Sequence, residues 1–362
     1  MSPLEAELRR MIAVNGPMTL ETYMGLALAH PAYGYYTTRD PLGTSGDFVT
    51  APEISQMFGE LVGLWAAEVW ALMGAPAPLR LIELGPGRGT LMADALRAAQ
   101  VSREFQSALD IHLVEISPAL EARQRQTLAH VGARISWHQS MESVPPGPAI
   151  ILANEFFDAL PVRHYIKTAR GWCERLVGID DQNALVFGQS SVPEPDIKID
   201  AAYGSVLEIG AQAQVLMGEL AGRIATGGGA MLLLDYGHVQ TGLGETLQAL
   251  KGHEFANPLE DPGEADLTAH VDFAALARAA RAKGAGVSGP VTQGSFLQVL
   301  GIAQRATALK RRASSSQITA IDAGLRRLTG AGENDMGKLF KAMGVAHRSL
   351  GELPGFLAGA DV

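Results

Sequence analysis

From residue 79 onward, short apolar runs alternate with stretches whose apolar residues recur at helical spacing. Leu79–Leu84, residues 110–115, residues 133–137 and Ala149–Asn154 read as strands, with helices over Thr90–Ala99 and residues 118–130 between them. Strands and helices in alternation predict a parallel sheet covered by helices on both faces. Upstream, residues 1–75 read as mainly helical, with an irregular Gly- and aromatic-rich stretch over residues 30–52. Ile54, Met57, Phe58, Leu61, Val62, Trp65, Val69 and Leu72 follow helical spacing from a start near Pro52 to a stop near Gly74. Glu68, Pro76 and Pro78 interrupt the most apolar part, so a buried amphipathic helix is expected there and no membrane span.

After residue 161 the rhythm changes. Residues 162–168, Gly171–Ile179 and residues 184–187 read as strands joined by Ala169-Arg170-Gly171 and Asp180-Asp181-Gln182-Asn183, both turn chemistry, which predicts an antiparallel meander. A long helix is expected over residues 205–225, stopped by Gly227-Gly228-Gly229, with a buried strand over residues 230–235. A polar, Gly-rich loop follows over residues 237–267, and Asp272 is placed to cap a helix reaching Ala282. A last strand is expected near residues 286–291, and mostly helix after Gly294. The organisation read from this pattern is a helical segment with a lid over 1–75, a core over 76–160 and 205–300, an inserted meander over 161–204, and a mostly helical part over 301–362.

Composition narrows the function. The 362 residues are 47% hydrophobic and 19% charged, as in a globular protein with a sizeable core. A formal net charge of −9 makes nucleic acid, DNA above all, and acidic membrane poor default partners. Cys173 is the only cysteine, which excludes an intrachain disulfide and reads as a small buried hydrophobe in a strand. Nine histidines lack metal spacing, so no metal site is expected. Residues 1–16 include Glu5 and Glu7 and no apolar secretory core, and a cytoplasmic location is the expectation.

The sharpest local signal is Glu83-Leu84-Gly85-Pro86-Gly87-Arg88-Gly89-Thr90, a Gly-rich turn between a buried strand and a helix. Glycines let a ligand approach the backbone, and the helix start offers free N–H groups. A dinucleotide site wants G-x-G-x-x-G, yet here the third glycine comes one residue early and Thr90 fills the sixth place. A P-loop is excluded, because no Gly-Lys-Ser/Thr follows. S-adenosylmethionine, a cation without phosphate, suits the acidic Glu83 better. Glu115, at the end of the next strand, stands where a carboxylate could accept both ribose hydroxyls. Ser140 and Met141 lie in the loop after the third strand, where adenine would sit. Dinucleotide and purely structural readings of the turn stay open at this point.

The fourth strand runs into Asn154-Glu155-Phe156-Phe157-Asp158-Ala159-Leu160-Pro161. In an open α/β sheet this segment faces the same crevice as the glycine loop. Asn154, Glu155 and Asp158 are therefore the catalytic candidates, able to hold N–H groups and receive a proton while aromatic faces meet a cation. The plainer reading makes Phe156 and Phe157 core and Asp158 a cap. Asp47 and Glu53 in the lid stretch, Asp235 and Tyr236 at the end of the later strand, and His270 before the Asp272 helix are the further substrate or lid candidates.

These blocks, together with residues 46–55, Asp235-Tyr236-Gly237, residues 266–273 and Gln293-Gly294-Ser295-Phe296-Leu297, resemble the MidA family of class I S-adenosylmethionine-dependent methyltransferases over nearly the whole chain. The resemblance implies an α/β, Rossmann-like, seven-stranded methyltransferase sheet. It implies S-adenosyl-L-methionine as cofactor and a protein partner, an arginine-containing subunit of the respiratory complex I type, as substrate. Methylation of a small molecule or RNA, or a catalytically silent assembly chaperone, are the competing expectations.

Overall fold

A computed structural model describes residues 2–38 and 50–356. Seven strands form the central sheet: β1 (Leu79–Leu84), β2 (Leu109–Val114), β3 (Ile135–His138), β4 (Ala149–Asn154), β5 (Gly229–His238), β6 (Gly286–Thr292) and β7 (Phe340–Ala346). Their order is β6-β7-β5-β4-β1-β2-β3, and a two-residue strand, Val271–Asp272, pairs with β5 as an eighth. All neighbours run parallel except β7, which is antiparallel to both β5 and β6. Parallel strands buried on both faces need apolar residues on both, and the sheet shows it. Leu81, Ile150, Leu152 and Leu232 pack in one hydrophobic cluster with α3 (Gln56–Leu72) and α4 (Thr90–Ala99). Their sequence neighbours Ile82, Ile151, Ala153 and Leu233 pack in the other, with α6 (Ala211–Gly227) and α7 (Phe273–Ala282). Asp272 caps α7, accepting from Ala275 N at 2.9 Å.

A third cluster stands apart from the sheet. It gathers Leu4, Leu8 and Ile12 of α1 (Pro3–Asn15) and Leu20, Tyr23, Met24, Ala27 and Leu28 of α2 (Leu20–Ala29) with Val162, Val177, Leu185, Ala249 and Leu267. These N-terminal helices lie on an antiparallel sheet: Gly171–Ile179 pairs with Met18–Thr19, with Arg163–Thr168 and with Leu185–Pro193. Together these pieces form a cap beside the open end of the main sheet.

Three differences from the sequence reading shape the fold most. The expected helix over 205–225 begins as a strand, Val206–Ile209, paired with Arg163–Ile166, and Gly210 separates it from α6. The expected loop over 237–267 contains a small sheet of Gln248–Lys251, Glu254–Ala256 and Asp266–Thr268. The stretch after Gly294 supplies β7 to the interior of the main sheet. A short apolar run with Lys341 and Gly344 inside it has no periodicity that separates strand from helix.

Candidate active site

A cleft of about 500 Å³ opens at the carboxyl ends of β1, β2 and β4. Glu83, Gly85, Gly87, Glu115, Ser140, Met141, Asn154, Glu155 and Glu53, all predicted, line it. The turn after β1 takes φ of +58°, +55° and +81° at Gly85, Gly87 and Gly89. At Gly85 a side chain would be strained and its Cβ would meet Phe156 Cδ2 at 2.8 Å, so glycine is required by conformation and by space. Gly89 stands at the left-handed N-cap of α4 and supports the turn from outside the cleft lining. Thr90, the next residue, donates to the Glu53 carboxylate, tying the lid-side segment to the glycine turn.

Two carboxyls flank this turn. Glu83 is buried and its Oε2 has no hydrogen-bond partner among the described residues; burial first, then the charge of Glu115, pushes its pKa up to about 8. A buried carboxyl left without a partner is costly, and a cationic ligand would satisfy it. Glu115 is raised by burial, opposed by the donors it accepts: Ser117 N at 2.8 Å and Gln124 Nε2 at 2.9 Å. Gln124, on α5 (Pro118–Thr127), also donates to Gly87 O at 2.8 Å, while Trp137 Nε1 donates to Gln124 Oε1 at 3.0 Å. This fully buried amide locks the glycine turn to the β2 carboxylate, and sequence reading missed it. A glutamine in a polar helix gives no signal beyond its composition.

The segment after β4 is shaped by an unusual backbone. Glu155 has φ +48°, a left-handed conformation uncommon for non-glycine residues. Its Oε1 accepts from Ala51 N at 2.9 Å and from Asn154 Nδ2 at 3.0 Å. Burial pushes its pKa up to about 7, against those donors. Asn154 Oδ1 is buried and has no hydrogen-bond partner among the described residues. Asp158 does not line the cleft; burial raises its pKa to about 6, and its Oδ1 has no hydrogen-bond partner among the described residues.

The remaining candidates divide sharply. Asp235, expected to touch substrate, is fully buried and acts on the backbone. Its Oδ2 accepts from the N–H groups of Phe156 at 3.2 Å, Phe157 at 2.9 Å and Asp158 at 3.3 Å. It curls the post-β4 segment so that Glu155 reaches the cleft. Burial, with the charges of Asp158 and Glu155, raises its pKa. Tyr236 and His270 form an edge-on ring pair at 5.3 Å and also stand outside the cleft lining. Asp47 falls outside the described residues. Tyr36, not predicted, does line the cleft, its hydroxyl donating to Asp266 Oδ1 at 2.8 Å. Among the described residues no group of three or more His, Cys, Asp or Glu could hold a metal, and no helix is long and apolar enough to cross a membrane.

The family described as "Putative S-adenosyl-L-methionine-dependent methyltransferase" matches residues 61–291. The chain is 42% identical over 321 residues to the protein arginine methyltransferase NDUFAF7, mitochondrial, of Danio rerio, covering 81% of this chain and 75% of that protein. It is 39% identical over 345 residues to the Homo sapiens protein of the same name, covering 88% and 78%. A Burkholderia thailandensis protein crystallised with S-adenosyl-homocysteine bound superposes with a TM-score of 0.86 at 31% identity, covering 99% of this chain and 95% of that one. The Danio rerio and Homo sapiens relatives carry mitochondrial names, which overturns the cytoplasmic expectation drawn from the N-terminal residues. The match also decides between the two ligand classes left open by the glycine turn, in favour of S-adenosyl-L-methionine. The chain belongs to the MidA family of class I S-adenosyl-L-methionine-dependent methyltransferases.

Proposed function

We propose that the protein methylates an arginine side chain of a partner protein, a subunit of the respiratory complex I type. The observation that carries the reading is the post-β4 pair in the cleft: Glu155, a half-buried carboxyl, beside Asn154, whose Oδ1 has no partner among the described residues. A guanidinium offers five N–H donors and a positive charge, the complement of an amide oxygen and a carboxylate. The names of the relatives support the same residue type as acceptor.

Gly85 and Gly87 would leave room for the cofactor, Glu83 would answer its cationic end, and Glu115 would accept from its ribose hydroxyls. S-adenosyl-L-methionine supplies, when bound, an electrophilic methyl group on a sulfonium. Asn154 Oδ1 and Glu155 orient the acceptor nitrogen by holding the other N–H groups. Glu155 receives the proton that leaves this nitrogen as the carbon–nitrogen bond forms and the methyl's bond to sulfur breaks, S-adenosyl-homocysteine departing as a neutral thioether; a carboxyl with its pKa near 7 suits that task. Ser140 and Met141 line the cleft and would meet the adenine.

The test uses labelled S-adenosyl-L-methionine and extract from cells lacking the protein, with mass spectrometry of the labelled chain. Methylarginine in one protein is the expected product. Glu155→Gln should lower the rate at least about 100-fold and leave S-adenosyl-homocysteine affinity within a few-fold. Methylation of another residue type or of RNA, or an unaltered rate in the variant, overturns the proposal.

A further inference from the structure

We infer that His112 and His138 are positioning residues for the loop that brings Ser140 and Met141 to the cleft: they carry a hydrogen-bond chain from Asp110 to the Ser140 carbonyl, and one added proton completes it. The inference concerns the cofactor side and stands whichever residue the enzyme methylates. His112 of β2 is buried, and its Nδ1 lies 2.9 Å from Nε2 of His138, the last residue of β3. His138 Nδ1 lies 3.0 Å from Ser143 Oγ, and Ser143 Oγ donates to Ser140 O at 2.9 Å. At the other end, His112 Nε2 has no aligned hydrogen bond among the described residues, but Asp110 Oδ2 stands 3.1 Å from it, within ion-pair distance. His138 also meets the site through its main chain, since its carbonyl accepts from Glu115 N at 2.8 Å. Ser140 and Met141 line the cleft, whereas Ser143 does not.

The chain is one proton short. Both of its ends, a carboxylate and a carbonyl, only accept. Its four contacts need four protons, while two neutral imidazoles and one hydroxyl supply three. With both rings neutral, the charged end takes the stronger bond. His112 then turns Nε2–H to Asp110, His138 donates from Nε2 to His112 Nδ1, and Ser143 turns its hydroxyl to His138 Nδ1. The Ser140 carbonyl is left without a donor from the chain. A proton added to His112 reverses the inner links: His112 donates from both nitrogens, His138 donates from Nδ1 to Ser143, and Ser143 holds the Ser140 carbonyl. Asp110 favours that proton. Against it stands Arg223 of α6, beside Arg80 of β1, which pairs in register with Asp110. Burial, then the charges of His112 and Arg223, hold His138 below the usual imidazole range, so the added proton stays on His112.

The test compares S-adenosyl-homocysteine affinity of the wild type and Ser143→Ala by calorimetry, from about pH 5.5 to about pH 8.5, either side of the ordinary imidazole pKa. Ser143 is exposed, so its alanine variant keeps the fold while removing the last donor in both protonation states. Titration of Glu83 is common to the two proteins and cancels in the ratio of their affinities. We expect the wild type to bind at least about threefold more tightly than the variant at the acid end, as the net worth of one hydrogen bond allows, and equally at the alkaline end. In the wild type with nitrogen-15-labelled histidine, NMR should show the proton of neutral His138 moving from Nδ1 to Nε2 over the same range. A merely structural serine would give a ratio that does not change with pH. That constant ratio overturns the inference, as does a ratio that rises toward the alkaline end or a His138 tautomer that stays the same throughout.

Discussion

At the scale of single residues, burial makes a carboxyl sensitive to any charge placed beside it. Glu83, with a pKa near 8, is largely neutral at pH 7 in the ligand-free protein. A cationic ligand beside it requires the ionised form. Binding of S-adenosyl-L-methionine should therefore release protons and weaken about tenfold per pH unit below pH 8. The raised pKa also fixes the sign for stability. The contribution of Glu83 is complete below the pKa of an unfolded glutamate, about 4.3, and is lost as pH rises toward 8, so the ligand-free protein should melt lower at pH 8 than at pH 5. Calorimetry in buffers of different ionisation enthalpy reads the protons, and Glu83→Gln should flatten both dependences. An unchanged slope in that variant excludes Glu83 as the responsible group. Glu83 and Glu115 were legible in the sequence because each closes an apolar run and so stands at a strand end. Asp235 closes such a run too and looked equivalent. Its difference arises from a segment 77 to 79 residues away curling its N–H groups onto the carboxylate, which no local pattern records.

At the scale of elements, strand, turn and helix act as one unit only when something fastens them. Gln124 does so, reaching from α5 to Gly87 O and Glu115 Oε2. Gln124→Ala would leave the Gly87 carbonyl, the Glu115 oxygen and the Trp137 N–H without partners and open a hole under the turn. We expect a loss of about 2–4 kcal/mol in urea unfolding, with S-adenosyl-homocysteine affinity reduced at least tenfold. A destabilised variant that binds with wild-type affinity would show that the turn holds its shape unaided. The edges of β1 and β4 and the start of α4 follow from sequence alone, since each is a long apolar run or a capped helix bounded by Gly or Pro. β7 escaped because its neighbours in the sheet, β5 and β6, come from much earlier in the chain. Its Gly344, where a Cβ would meet Leu353 Cδ1 at 2.7 Å, makes sense only once the C-terminal segment is packed against it.

At the scale of the whole molecule, the cleft has two walls of different origin. One is the end of the parallel sheet, with the glycine turn. The other belongs to the cap, whose core joins α1 and α2 to residues 162–185 and 247–269. The sequence shows each of these stretches as apolar and structured, but their meeting depends on long-range pairing such as Met18 with Val177 and the bond from Ser2 Oγ to Pro262 O at 3.2 Å. The division of labour follows from this geometry. The sheet side lines the cleft with Glu83, Gly85, Gly87 and Glu115, and the cap side lines it with Gly25, Ala29 and Tyr36; under the proposed function the cofactor falls to the first wall and the substrate to the second. Leu8 is fully buried in the cap core, which contains no residue of the glycine turn. Leu8→Ala should cost about 2–5 kcal/mol, and it should loosen the position of α2. Methyl transfer to the protein target should then fall at least fivefold at a temperature where the variant remains folded, while S-adenosyl-homocysteine affinity measured by calorimetry changes less than twofold. Equal losses in both quantities would mean that cap and sheet yield as one cooperative body and that the two walls are not independent.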